Sequence, residues 1–281
     1  MAFNLKEIDL SKLSKSQQKI ANYIAGAIGQ IPYCTEEDIA SATGVSTATV
    51  SRFWGAIGYG NLKAFKKHLL QQEHATPAHK MERILSRVER EEADIYREIA
   101  EIAANNLDVS AERLDRNQFA AAARAIGDAR ALYLFGSGAS SFLTELLSFR
   151  LTRIGIRVVT MAGSGSELLE QLAHAEEGDV VLMFGFVRKS PELAVLLEQA
   201  AFSHYATILV TDLLVSDMLA KSDLVLQLDR GELEGFHSMA SPVALIEALT
   251  VAVTKLKGQS AMERLDKLHK LRKTYSSLLP K

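Results

Sequence analysis

The chain has 281 residues, 48% hydrophobic and 23% charged, which excludes a disordered or fibrous chain and allows one large or two ordinary domains. Its formal net charge of −2 supplies no overall basic field, so any attraction for nucleic acid must be local. The single cysteine, Cys34, excludes an internal disulfide framework and a cysteine-built metal site, and fits a reducing cytoplasm. The first ten residues mix charge into the apolar ones, unlike a signal peptide. Apolar runs such as Val180 to Val187 are strand-length and too short to span a bilayer. The expectation is a soluble cytoplasmic protein with no membrane contact.

Residues 1 to about 75 read as helices only. Ser14 with Gln17 three later is a capping-box pattern, and Ile20, Ile24 and Ile28 then repeat every four residues until Gly29 and Pro32. Thr35 caps a second, short helix that opens on Glu36-Glu37-Asp38 and ends at Thr43-Gly44. Ser46 caps a third, with Val50, Phe53, Trp54 and Ile57 on one side, ending near Gly58-Tyr59-Gly60. Lys63, Phe65, Lys66, Lys67 and Leu69 begin a basic fourth helix. The middle pair has the helix-turn-helix form: small Ala40 at the crossing, Gly44 in the turn, and Val45, Val50 and Phe53 beneath the second helix. That packing leaves Thr47, Thr49, Ser51 and Arg52 facing outward, a polar set suited to groove and phosphate contacts. A three-helix protein-interaction module would share the same core. Residues 1–80 carry nine basic and six acidic side chains, a net +3, which leaves −5 for residues 81–281 and has the sign of a DNA-binding head.

Ala75-Thr76-Pro77 breaks the pattern. A charged helix follows from Lys80 to about Asn105, striped by Ile84, Val88, Ile95, Ile99 and Ile102, and Asn105-Asn106 punctuates its end. From Asn117 onward strands and helices alternate. The strand candidates are 131–135, 158–161, 180–187, 206–210 and 224–228; helical patterns lie at 142–154, 167–174, 192–203 and near 216–220. Ser241-Pro242, a cap followed by proline, opens a long helix through Leu256, and an amphipathic helix closes the chain. This alternation predicts a doubly wound α/β parallel sheet, with ligands beyond the carboxyl ends of its strands.

The first strand runs into Gly136-Ser137-Gly138-Ala139-Ser140-Ser141. Glycines allow close backbone approach, serines add hydroxyl donors, and a helix N-terminus attracts negative charge. The stretch is one glycine short of the dinucleotide fingerprint, no acidic residue ends the second strand, and no lysine makes it a Walker loop. What remains is a cradle for phosphate or another small anion, with no cofactor. The seven histidines form no metal-ligand spacing, so no metal site is expected.

Together, TEEDIASATGVSTATVSRFWGAIGYGNLKAFK and LYLFGSGASS with ILVTDLLVSDMLAKSDLVLQL resemble the RpiR family of bacterial transcriptional regulators. The resemblance covers nearly the whole chain. It implies an all-α helix-turn-helix head joined to an α/β doubly wound parallel-sheet domain of the SIS (sugar isomerase) type. It also implies a homodimer or homotetramer that binds a duplex DNA operator, senses a phosphosugar or related anion, and catalyses nothing. The domains expected are a head at 1–77, a connecting helix at 78–107, the sensor at 108–258 and a last helix at 259–281. DNA contacts are expected from Thr35, Ser46, Thr47, Thr49, Ser51, Arg52 and Lys63. Effector contacts are expected from Gly136, Ser137, Gly138, Ser140 and Ser141.

The loop after the third strand departs from the family pattern. A serine-rich S-x-S-G-x-T/S turn is usual there, whereas this chain reads Phe184-Gly185-Phe186-Val187-Arg188-Lys189-Ser190-Pro191-Glu192. Ser190 alone keeps a hydroxyl near the helix start, and Arg188 and Lys189 stand where small polar residues are usual. Two cations beside a helix mouth still predict an anion, one bearing a carboxylate or bulkier than a simple sugar phosphate. His237 is a further candidate for the cleft. The rival function is a sugar-phosphate isomerase, with Glu232, Glu234 or His237 as general base.

Overall fold

A computed structural model of the chain describes residues 13–26, 31, 34–73, 78, 81–82, 84–85, 95–186, 189–213, 216–231 and 237–279. Ile28, Gly29, Pro32, Thr76, Pro77, Val88, Val187, Arg188, Glu232 and Glu234 lie outside the described residues. The described residues divide into two compact units. One lies within 1–106, 213–220 and 230–238; the other lies within 107–212, 221–229 and 239–281.

The first unit opens with helices α1 (Lys15–Gly26), α2 (Glu36–Thr43), α3 (Thr47–Ala56) and α4 (Leu62–Glu73). Local signals start each one. Ser14 and Gln17 form the expected reciprocal box, with the Ser14 N–H donating to Gln17 Oε1 at 2.9 Å. Asn61 Oδ1 accepts the Ala64 N–H at 2.9 Å and caps α4. The four helices bury Ile20, Ile24, Ile39, Val50, Phe53, Trp54 and Phe65 in one core. Trp54 packs against Phe53 and Phe65 at centroid distances of 5.3 and 5.1 Å, so it is a core anchor rather than an exposed stacking surface.

Helix α5 (Ile95–Arg113) runs straight through Asn105-Asn106, where the sequence predicts a stop. Asn106 is buried, so tertiary context outweighs its poor helix propensity. Helix α6 (Arg116–Asp128) was not anticipated: its FAAAARAIG core has no strong stripe of large residues. Asp115 caps it by accepting the N–H groups of Asn117 and Gln118 at 2.7 and 2.9 Å.

The remaining elements are β1 (Leu132–Gly136), α7 (Ser141–Arg153), β2 (Val158–Thr160), α8 (Gly165–Leu172), β3 (Val180–Phe184) and α9 (Pro191–Ser203). They continue with β4 (Ala206–Thr211), α10 (Asp217–Lys221), β5 (Leu224–Gln227), α11 (Ala240–Lys257) and α12 (Gln259–Thr274). The strands form one parallel sheet in the order β2-β1-β3-β4-β5, with Leu132 facing both Val158 and Val180 in register. Alternate residues of each strand serve opposite faces. Leu132, Leu134, Leu182, Ile208 and Leu226 pack with α6, α7 and α11. On the other face, Tyr133 donates its hydroxyl to His174 O at the end of α8, and Leu209 lies beside Leu193 of α9. Both faces are covered, which is why the strands are continuous apolar runs.

Most boundaries shift by a residue or two from the sequence reading, and two shifts matter more. The third strand ends at Phe184, before Gly185, rather than at Val187. Helix α11 starts at Ala240, so Ser241 is buried inside the first turn and is not the cap.

At the amino end of the sheet Arg130 holds Asp179 with two bonds, Nε to Oδ1 at 3.0 Å and Nη2 to Oδ2 at 2.7 Å, and pairs with Glu176 as well. Burial pushes the Asp179 carboxyl up, but the Arg130 bonds and the Glu176 N–H outweigh it and hold the group below the ordinary carboxylate range. A depressed carboxyl stabilises the fold above its unfolded pKa of about 3.9, and the contribution is lost as pH falls through the lower, folded value. Asp179→Asn should therefore cost on the order of 1–3 kcal/mol at neutral pH. In denaturation series at successive pH values, the gap from wild type should narrow as pH falls below the unfolded value of about 3.9 and close beneath the lower, folded one. A gap that persists there would contradict the pairing.

Candidate functional site

Two places carry exposed polar groups in an ordered frame: the α2–α3 pair and the carboxyl end of the sheet. In the first, Thr35 Oγ1 accepts the Asp38 N–H at 3.1 Å, while the Asp38 carboxylate accepts the Thr35 N–H at 2.7 Å and its hydroxyl at 2.8 Å. The Thr35 backbone and then its side chain hold the Asp38 carboxyl below its usual range. Gly44 takes φ +66°, the left-handed turn, and the Val45 N–H returns to Ala40 O at 3.1 Å. Ser46 then caps α3 by accepting the Thr49 N–H at 3.3 Å, and the two hydroxyls share a 2.9 Å bond.

These bonds sort the expected head residues. The hydroxyls of Thr35, Ser46 and Thr49 are engaged in capping, and Thr49 is half-buried. Thr47, Ser51 and Arg52 are exposed on α3, and Lys63 is exposed on α4. Ala48 and Gly55 are exposed on the same helix. Thr47-Ser51-Gly55 and Ala48-Arg52 repeat at the spacing of one helical face. Arg52 folds back so that its Nε donates to Ala48 O at 3.2 Å.

At the sheet, β1 delivers Gly136 to its carboxyl end. A Cβ on Gly136 would lie 2.6 Å from Ser140 O, so only glycine permits this approach. A 3-10 turn over Gly138–Ser140 intervenes before α7, with Gly138 at φ +57°. The Ser140 N–H is used by Ser137 O at 3.1 Å, and the Ser141 hydroxyl donates to Gly138 O at 2.8 Å. Ser141 thus presents lone pairs rather than a proton to an anion. Ser137 is exposed and Ser140 is buried beneath the turn.

Beyond β3, Ser190 caps α9 by accepting the Leu193 N–H at 3.3 Å, with Pro191 in the first helical position. The Glu192 backbone N–H, then the Ser190 hydroxyl, hold the Glu192 carboxyl below its usual range. Ser190 is therefore committed on both sides, and a carboxylate already stands at the mouth of α9. Lys189 is half-buried. His237 is half-buried and belongs to the first compact unit, whereas the Gly136–Ser141 turn belongs to the second. Among the described residues no helix is long and apolar enough to cross a membrane.

The fold and these two places define a class: a helix-turn-helix head followed by a doubly wound sheet domain with a serine-glycine mouth. The family models agree. A helix-turn-helix domain of the rpiR family matches residues 5–76, and a SIS domain matches residues 125–252, together more than two thirds of the chain. An uncharacterized HTH-type transcriptional regulator of Haemophilus influenzae is 29% identical over 217 residues, covering 76% of this chain and 75% of that protein. A second, from Providencia stuartii, is 25% identical over 220 residues, 77% of this chain and 76% of that protein. Among solved structures, the Vibrio vulnificus NanR protein complexed with ManNAc-6P superposes with TM-score 0.60 at 20% identity, over 99% of this chain and 98% of that one. The sugar isomerase domain of an RpiR transcription factor from Sphaerobacter thermophilus gives 0.59 at 21% identity, over 63% of this chain and 99% of that one. The chain belongs to the RpiR family of transcriptional regulators.

The turn itself can be tested. Gly136→Ala must displace the Ser140 backbone and should destabilise by about 2–3 kcal/mol. Gly138→Ala meets open space and should cost only about 1 kcal/mol for its left-handed φ. Equal shifts in the denaturation midpoint would contradict the close approach.

Proposed function

We propose that the chain is a cytoplasmic, DNA-binding regulator whose sheet domain senses an anionic metabolite, a phosphosugar or a related acid, and alters operator binding without catalysing a reaction. The observation that carries the reading is the capped, glycine-turned α2–α3 pair, which leaves Thr47, Ser51 and Arg52 exposed on one helix. In that geometry the second helix enters the major groove, its first residues reach base edges, and the preceding helix crosses the backbone. Ser46 and Thr49 preorganise α3. Thr35 does the same for α2, whose acidic first turn is a poor neighbour for phosphate. Lys63 lies on the following basic helix, suited to a phosphate contact.

For the effector, Ser137 and the backbone of Gly136 and Gly138 supply the first wall of the cradle, and Ser140 lies beneath it. Arg188 and Lys189 are the proposed second wall. Ser141 and Ser190 remain members of the set only if their hydroxyls turn from their present partners, and His237 remains a candidate on its sequence position alone. The resemblance to a NanR complexed with ManNAc-6P supports a sugar 6-phosphate as the first ligand to try. The boundaries proposed are a head to residue 77, a connecting helix to 107, a sensor to 258 and a terminal helix beyond. Ile95, Ile99 and Ile102 of α5 are about two fifths exposed in the single chain, which supports a homodimer or homotetramer.

Arg52→Ala should weaken binding to duplex covering the gene's own upstream region about tenfold. The log–log salt slope should become shallower by about one unit if the guanidinium reaches a phosphate. Fluorescence anisotropy at several salt concentrations checks both. Wild-type affinity retained by this variant would favour the interaction-module reading of the head.

A further inference from the structure

The C-terminal half of α5 is held by the segment that leaves β5. The stripe that carries Ile95, Ile99 and Ile102 continues at helical spacing as Asn106, Ser110 and Arg113, changing from apolar to polar. Asn106 and Ser110 are buried, as are Asp229 and Arg230. The Ser110 hydroxyl accepts the Asp229 N–H at 2.7 Å and is also 3.2 Å from Asp229 O. Arg113 Nη1 pairs with Asp229 Oδ2 at 2.9 Å. Two residues on, Gly231 at φ +88° approaches Asn106 so closely that a Cβ would lie 3.3 Å from the Asn106 amide nitrogen. Asp229 is itself tied to the sheet through its neighbour, because the Leu228 N–H donates to Thr211 O at 2.9 Å.

Nothing in a DNA-reading head or an anion cradle requires this cluster. A helix that only needed packing would present leucine here, since burying polar groups stabilises little and specifies much. Buried polar contacts of this kind are made together or lost together, because a half-satisfied cluster leaves unpaired groups in a low dielectric. That is the behaviour of a two-position element rather than a continuously deformable one.

We propose that Ser110, Arg113 and Asp229 are positioning residues of the effector response. They clasp α5 to the carboxyl end of β5, and an effector bound beyond the strand ends changes that hold. The proposal rests on the regulator reading. It assigns α5 as the carrier of the signal and Asp229 as the point where the signal enters.

Hydrogen exchange on the full-length chain tests it, with wild type, Ser110→Ala and the shape-preserving Asp229→Asn, each with and without ManNAc-6P. Both variants should speed exchange across residues 100–113 about tenfold, while 132–136 and 180–184 keep wild-type protection. ManNAc-6P should change exchange at 100–113 in wild type and leave it unchanged in the variants. Wild-type protection of 100–113 in both variants overturns the clasp. So does an equal ligand response in wild type and in a variant whose melting temperature is unaltered. If 100–113 loosen in the variants but ManNAc-6P leaves wild type unaffected, the clasp stands as the fastening of α5 and ManNAc-6P falls as the effector.

Discussion

All five strands run in one direction, and this constraint places everything that follows them. Parallel pairing forces each connection to cross a face of the sheet, so every strand delivers its chain to the same end. Gly136 to Ser141 after β1, Gly185 after β3 and Asp229 after β5 all leave from that end. The chemistry of each departure differs. The first is a backbone turn so tight that only glycine fits, the second a helix mouth already holding a carboxylate, and the third a partly buried ion pair with a helix.

The head obeys a different economy. Its contacts are local, within three or four residues: Ser14 with Gln17, Thr35 with Asp38, Ser46 with Thr49, Asn61 with Ala64. Short helices such as α2 and α3 are marginal alone, and the caps together with a shared core of Phe53, Trp54 and Phe65 hold their angle. Because the capping hydroxyls are consumed in this way, the residues left to meet another molecule are fewer than polarity suggests.

That difference explains what could be read from the residues alone. Caps and apolar runs depend on near neighbours, so Thr35, Gly44, Ser46 and four of the five strands were legible within a residue or two, the third strand overrunning by three. The failures involve partners distant in sequence. Asn105-Asn106 reads as a stop, yet the helix continues because Asn106 is buried and meets Gly231. Helix α6 was missed because small alanines pack against α11, a periodicity of fit rather than of bulk. The Gly136–Ser141 motif was legible as a turn that lets backbone approach. The 3-10 segment inside it was not, nor was the Ser141 hydroxyl turned back on Gly138, since both depend on dihedral choices that composition does not encode. Ser110, Arg113 and Asp229 gave no signal at all, being ordinary polar residues more than a hundred positions apart.

The most direct measurement is operator affinity at fixed salt while a sugar phosphate is titrated, because coupling between two sites must appear as a changed dissociation constant. With the full-length chain, the duplex upstream of its gene and ManNAc-6P, a ligand-responsive regulator requires a saturable shift of about fivefold or more. An operator affinity that stays constant with ManNAc-6P, and across a panel of hexose and N-acetylhexosamine 6-phosphates, would contradict it.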